Sequence, residues 1–297
     1  MTGRRGPSRS GADDAQVAVP VDRAGSRSAA RSAPQGAPGS GHPAGGRGDP
    51  GQGGTPAEAV DLLRAAARRL LRLSLSPLQL DAFAWYLEEL LRWNARHNLT
   101  AIVDPGGIAV KHFLDSLTLI PLLGADPSGR LIDIGTGAGF PGLPLRIACP
   151  ALRLTLVEAT GKKADFCRHV VEGLGLKGVD ILHSRAEDVA RQPGQREAYD
   201  VAVARAVASL PILIEYLLPL VRLKGRVLAQ KGENAPAEVQ QASRALELLG
   251  GRLIQIHSVV LPGVADARYI VEIEKAAATP PAYPRRPGLA ARRTLFP

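Results

Sequence analysis

The chain has 297 residues, 45% of them hydrophobic and 22% charged, with a formal net charge of +9. That length and apolar share suit one α/β domain with appendages. Two cysteines, Cys149 and Cys167, lie in apolar surroundings without metal-ligand spacing, so they read as reduced core thiols, and neither a disulfide framework nor a metal site is expected.

The position of the charge matters more than its sum. Residues 1–55 carry seven arginines against four aspartates, and the stretch from Pro280 carries Arg285, Arg286, Arg292 and Arg293 without an acid. Subtracting three and four from nine leaves about two positive charges for the body, so bulk basicity points only weakly to nucleic acid. No apolar segment of signal-peptide type follows the N-terminus. The longest apolar run, Val201 to Leu223, contains Arg205, Glu215 and prolines, which argues for a strand plus a helix rather than a membrane span. A cytoplasmic protein without membrane contact is expected.

In chain order, residues 1–55 lack Leu, Ile, Phe, Tyr and Trp, and cannot bury enough area to offset their ordering entropy; they read as a disordered low-complexity extension. Residues 56–124 read as a small helical cap. Pro56 to Leu73 has apolar residues at helical spacing, with Arg64, Arg68 and Arg72 on the opposite side as a solvated stripe. Ser76-Pro77 looks like an N-cap followed by a first-turn proline, opening a helix to about Arg96. Trp85, Tyr86 and Trp93 read as core and interface. A further helix starts near Ile108 and carries His112 and Asp115, three residues apart.

Residues 125–276 alternate strand and helix. Strands are expected at Leu131–Ile134, Leu152–Glu158, Val179–His183, Asp200–Ala204 and Arg226–Gln230, with helices at 143–148, 162–174, 210–221 and 236–249 between them. Unbroken apolar runs suit central parallel strands covered on both faces. Arg252–Leu261 and Tyr269–Lys275 are separated only by a short loop, so they form an antiparallel hairpin at the sheet edge. Residues 277–297 form a basic tail.

The stretch Asp133-Ile-Gly-Thr-Gly-Ala-Gly-Phe-Pro-Gly142 organises this plan. Gly135, Gly137 and Gly139 let the backbone turn sharply and approach a ligand closely. The stretch matches a dinucleotide-binding pattern and also the S-adenosylmethionine-binding form, and Glu158 at the end of the second strand would accept from ribose hydroxyls in either. Pro141 favours the second reading, because a pyrophosphate needs N–H groups at the helix start and proline offers none. Ser184-Arg185-Ala186-Glu187 after the third strand, and the terminal hairpin, point the same way. The expected fold is thus a Rossmann-like, class I S-adenosylmethionine-dependent methyltransferase: a mostly parallel seven-stranded sheet with a C-terminal antiparallel hairpin and a helical N-terminal cap.

Trp93-Asn94 with Asn98-Leu99-Thr100, Lys111-His112-Phe113-Leu114-Asp115-Ser116, the glycine stretch, Ser184-Arg185-Ala186-Glu187, Ala204-Arg205-Ala206 and Gln230-Lys231-Gly232 follow in an order that resembles the bacterial 16S ribosomal RNA guanine-N7 methyltransferases, the glucose-inhibited-division-B family. Tyr283 to Gly288 resembles a family C-terminus. The likeness covers about residues 60 to 275. It implies methyl transfer from S-adenosylmethionine to N7 of a guanine in the 530 loop of 16S rRNA, as free RNA or in the small ribosomal subunit. It also implies cofactor contacts at Gly135, Phe140, Ala186, Glu187 and Arg205. A monomer is expected, with no protein partner implied. A small-molecule methyltransferase is the alternative.

The chemistry agrees with the resemblance. Guanine N7 carries a lone pair and no proton, so no general base is required, and the chain offers no cysteine with a basic partner. His112, Asp115 and Arg205 are candidates for substrate positioning, with Arg205 favoured as a cofactor contact over a guanine contact. Lys162, Lys163, Lys231, Arg285 and Arg286 are candidates for RNA contact, although a solvated face is the commoner fate of such lysines.

Overall fold

Thr55 and Ser76 each close a reciprocal capping box, Thr55 with Glu58 and Ser76 with Gln79, and each is followed by proline. These two caps start helices α1 (Pro56–Leu71) and α2 (Pro77–His97), and each contributes about 1 kcal/mol to its helix. The computed structural model describes residues 54–125 and 127–296, and the extension expected to be disordered falls almost wholly outside them.

The third helical segment, α3 (Pro105–Leu123), is interrupted, and its portion Ala109–Leu114 is wound as a π-helix. It is long and apolar enough to cross a membrane by length and composition, but 61% of its apolar window is buried inside the protein. Phe113 and Leu114 pack there with Phe83, Tyr86 and Leu87 of α2 in one continuous core.

The sheet has seven strands among the described residues, in the order β3-β2-β1-β4-β5-β7-β6. They are β1 (Gly129–Ile134), β2 (Leu152–Glu158), β3 (Val179–His183), β4 (Tyr199–Arg205), β5 (Val221–Lys231), β6 (Gly251–Val259) and β7 (Arg268–Lys275). Strands β1 to β5 pair in parallel, while β7 runs antiparallel to both β5 and β6. This is the expected class I methyltransferase arrangement, with its reversal of strand order between β1 and β4. In an open sheet, ligands bind outside the carboxyl ends of the strands at such a reversal.

Helices cover both faces. α4 (Gly142–Ala148) and α5 (Gly161–Gly173) share a core with the cap. α6 (Ala186–Val189), α7 (Leu210–Leu217) and α8 (Ala235–Leu249) pack with the opposite face. The cap is tied to the sheet by polar contacts as well. Gln79 Nε2 donates to the carbonyls of Ile147 and Ala148 at the end of α4. Buried Glu89 meets His169 of α5 at 2.8 Å, beside Trp85 and Trp93, which pack on the His169 ring. Both cysteines are buried.

The last described segment lies along the protein rather than free of it. Arg196 donates to the carbonyls of Thr279 and Tyr283, and Arg191 to that of Pro284. Arg285 forms a bidentate pair with Glu215, which is 1% exposed. A short helix, α9 (Leu289–Arg292), follows.

Candidate active site

The turn after β1 is shaped by groups behind it as much as by its glycines. Gly135 has φ +66° and Gly139 φ +96°, left-handed values that favour glycine. A Cβ at Gly135 would stand 2.7 Å from a Val207 methyl, and one at Gly139 would stand 2.6 Å from the Tyr86 hydroxyl. That hydroxyl donates to Ala138 O at 2.5 Å, so helix α2 of the cap grips the turn directly. Gly137 is different: a Cβ there meets nothing within 4 Å and would project into open space.

Asp133 supports the turn from below. Its Oδ2 accepts from Thr136 Oγ1 at 2.6 Å and from Gly142 N, the first residue of α4, at 2.8 Å. A carboxylate of the protein itself therefore occupies the N-terminus of that helix, where a dinucleotide's pyrophosphate would bind. Glu158 reaches the same turn from β2. Its Oε2 accepts from Gly137 N at 2.9 Å and its Oε1 from Thr160 N at 2.7 Å.

A cleft of about 350 Å³ opens on this turn. It brings together Gly135, Gly137, Phe140, His112, Arg205 and Lys163. Phe140 is stacked between two cap residues, with its ring centre 5.5 Å from Tyr86 and 4.5 Å from His112, and the Arg205 guanidinium lies 5.1 Å above it. Arg205 ends β4, and the chain turns away at once through Ala206, which holds a left-handed φ of +55°.

The guanidinium is held on several sides. Its NH1 donates to Asp115 Oδ2 at 2.9 Å and to Lys111 O at 3.0 Å, and its NH2 to His112 Nδ1 at 3.2 Å. His112 Nδ1 also lies 3.2 Å from Lys111 O, and its Nε2 is 2.7 Å from Thr100 Oγ1, so both ring nitrogens are engaged. Lys111 and His112 come from the π-helical portion of α3, a wide turn that recurs at functional sites, and Asp115 follows it directly. Arg268 NH1 lies 3.6 Å from Asp115 Oδ1, so this one carboxylate stands between two arginines.

Burial first, then the Arg205 charge, pushes the His112 pKa down to about 3. Burial also raises that of Asp133 to about 6, against the hydrogen bonds from Thr136 and Gly142. The linkage runs in opposite directions. The folded protein binds the His112 proton less readily than the unfolded chain, so this group lowers stability as pH falls from 6.5 towards 3. Asp133 binds its proton more readily when folded, so it adds stability as pH falls from about 6 towards 3.8. We expect His112 to remain neutral between about pH 5 and 8, where an ordinary histidine titrates. Histidine NMR shifts across that range check this, and a midpoint near 6.5 for His112 would refute the network.

The structure separates the remaining candidates. Glu158 touches the cleft through Gly137 N. Ala186 and Glu187 open α6 just after Ser184, whose N–H donates to Glu158 O, and the Glu187 carboxylate accepts from Gly288 N of the C-terminal segment at 2.9 Å. Of the residues proposed to contact RNA, Lys162 and Arg286 are exposed and Lys163 lines the cleft. Lys231 and Arg285, two further RNA-contact candidates, are each held in an ion pair within the fold. Lys231 Nζ bonds Glu238 and Ala208 O, each at 2.7 Å, and Arg285 closes the Glu215 pair. Arg285→Ala should therefore act on stability, leaving a buried carboxylate unpaired at a cost of about 3–5 kcal/mol, as read by denaturant unfolding. Unchanged stability would show the pair to be idle.

Sequence reasoning overlooked Arg268, Thr136 and Tyr86 as parts of this site. The first sits at the start of β7, with no motif around it. Tyr86 was read as core, and nothing local marks its hydroxyl as the one that reaches the turn.

The cleft fits S-adenosylmethionine. Gly137 leaves open space where a side chain would intrude, Phe140 offers an apolar wall, and no N–H array awaits a phosphate. Comparison with known proteins agrees. The family described as rRNA small subunit methyltransferase G, or GidB, matches residues 79–266. The ribosomal RNA small subunit methyltransferase G of Roseiflexus sp. (strain RS-1) is 52% identical over 236 residues, covering 80% of this chain and 100% of that protein. The protein of the same name from Desulforamulus reducens is 42% identical over 233 residues, covering 78% and 97%. With its sheet order, its glycine turn and these relatives, the chain belongs to the rRNA small subunit methyltransferase G (GidB) family.

Proposed function

We propose that the protein methylates N7 of a guanine in the 530 loop of 16S rRNA, using S-adenosylmethionine, in the cytoplasm and as a monomer. The bound cofactor supplies an electrophilic methyl group on a sulfonium sulfur. Gly135, Gly137 and Phe140 would hold it, and Arg205, fixed by Asp115 and the Lys111 carbonyl, would orient it.

One observation carries the target atom: among the described residues, no imidazole or carboxylate at the cleft is free to act as a base. Both His112 nitrogens are engaged, Asp115 stands between Arg205 and Arg268, and Asp133 is fully buried beneath the turn. A substrate nitrogen that bears a proton would need one of these groups to accept it. N7 bears none. The task left to the residues is positioning and exclusion of water, which suits an ordered wall of Arg205, His112 and Phe140. Lys111 and Lys163 at the cleft, with exposed Lys162 beside Lys163, supply positive charge that favours an RNA substrate.

The test is transfer of labelled methyl from S-adenosylmethionine to small ribosomal subunits lacking the modification, with the product mapped by nuclease digestion and mass spectrometry. A single 7-methylguanine in the 530 loop is expected. Cofactor binding without transfer to any rRNA would favour a small-molecule substrate instead.

A further inference from the structure

The connection from β3 to β4 runs over residues 184–198 and has one helical turn of its own, α6. Four of its side chains reach the same distant stretch of chain. Buried Glu187 accepts from Gly288 N at 2.9 Å, and Glu197 accepts from Thr279 N at 3.0 Å. Arg191 NH2 donates to Pro284 O at 2.7 Å. Arg196 donates to Tyr283 O at 2.7 Å and to Thr279 O at 2.8 Å. That stretch has its own anchor in the Arg285–Glu215 pair on α7. Chain ends ordinarily fray, so a terminal segment fastened both to α7 and to this connection is a fixed support for the connection.

The start of the connection stands beside the glycine turn. Ser184 N donates to Glu158 O at 3.1 Å, and the His183 ring lies 3.1 Å from Ala159 O, so the ends of β3 and β2 are tied together. Glu158 in turn accepts from Gly137 N in the turn itself. Ala186 belongs to the same core as Ile134 and Val157, at the ends of β1 and β2. The strand order supplies a direction. Arg205 closes β4 on one side of β1, while β2 and then β3 lie on the other. S-adenosylmethionine with its ribose at Glu158 and its amino-acid part towards Arg205 directs its adenine towards β3, where the connection begins.

We propose that residues 279–288 brace the wall on which the cofactor's adenine packs: the C-terminal segment holds the β3–β4 connection in place, and adenine lies against its first residues. The inference rests on the S-adenosylmethionine reading of the cleft and adds to it how one wall is kept in order. Gly288, Arg191 and Arg196 are positioning residues that act on the cofactor through the start of α6. A wall ordered before the ligand arrives spares binding that ordering cost, so the brace shows in cofactor affinity rather than in the rate of the loaded enzyme.

The test compares Gly288→Pro with Gly288→Asn in the full-length chain. Proline removes the N–H that Glu187 accepts and cannot hold φ +77°, whereas asparagine keeps the N–H and tolerates a left-handed φ. The readout is calorimetric titration with S-adenosylhomocysteine and with 5′-methylthioadenosine, which keeps the adenosine and lacks the amino-acid part. Gly288→Pro should weaken both by one shared factor of about tenfold and raise KM for S-adenosylmethionine equally, with kcat at saturating cofactor and KM for small subunits kept. Gly288→Asn should bind both within about twofold of wild type. Arg196→Ala should weaken both as Gly288→Pro does; should it fail to fold, the Gly288 pair decides. Unchanged affinity in Gly288→Pro or in folded Arg196→Ala, equal losses in Gly288→Pro and Gly288→Asn, or a loss for S-adenosylhomocysteine that 5′-methylthioadenosine does not share overturns the brace while leaving the cofactor reading intact. Wild type that binds neither ligand takes down both.

Discussion

Arg205→Ala should reduce methyl transfer by at least about 10²–10³-fold, the scale seen when a preorganised donor is removed from an active site. The loss has three parts. The cleft loses the cation above Phe140. Asp115, 3% exposed, keeps only Arg268 at 3.6 Å. His112 Nδ1 loses its contact with the guanidinium. Arg205→Lys is the informative companion. It keeps the charge, but one ammonium cannot span Asp115, Lys111 O and His112 as the forked guanidinium does, so it should restore only a small part of the activity. Single-turnover rates with saturating cofactor, beside circular dichroism to establish folding, measure both. Turnover by folded Arg205→Ala within threefold of wild type would remove Arg205 from the proposed machinery.

Gly135→Val should abolish cofactor binding and transfer together. Valine would have to adopt φ +66° with a β-branched side chain, and its Cβ would start 2.7 Å from Val207. Strain of this kind costs on the order of 1–3 kcal/mol before the clash is counted. The turn must move, and with it the Gly135 and Thr136 N–H groups that donate to Val157 O. Calorimetric titration with S-adenosylmethionine is the direct readout. Gly135→Ala, which omits the branched methyls, should bind weakly rather than not at all. Wild-type affinity in folded Gly135→Val would detach the glycine turn from the cofactor.

The architecture was legible in the sequence because parallel strands covered on both faces leave unbroken apolar runs. Leu152–Glu158 and Val179–His183 fall where the apolar runs place them. β5 begins at Val221, five residues before its expected start at Arg226, because polar Arg222 and Lys224 hide the continuation; the register shift between Tyr199 and Val201 of β4 lies opposite that stretch. The site was legible where local chemistry marks it, as in the glycines, Glu158 and Arg205. It was illegible where a residue acts at a distance. Arg268 and Asp115 are far apart in the chain, and their approach depends on β7 inserting between β5 and β6. The π-helical winding of Ala109–Leu114 also leaves no mark in apolar spacing, yet it sets where Lys111 and His112 face. The ion pairs of Lys231 and Arg285 are hidden for a related reason. A cation in a motif or a basic tail looks free until Glu238 and Glu215 are seen beside it.

The latched C-terminal segment bears on how the chain matures. Glu215 is translated seventy residues before the Arg285 that neutralises it, and the carbonyls that Arg191 and Arg196 hold emerge later still than those arginines. Chains begin to fold from the N-terminal side during synthesis, so Glu215 stays uncompensated until the segment carrying Arg285 has followed β7. A nascent form still lacking that segment would carry Glu215 without its partner and would not have the Glu187–Gly288 contact at the start of α6.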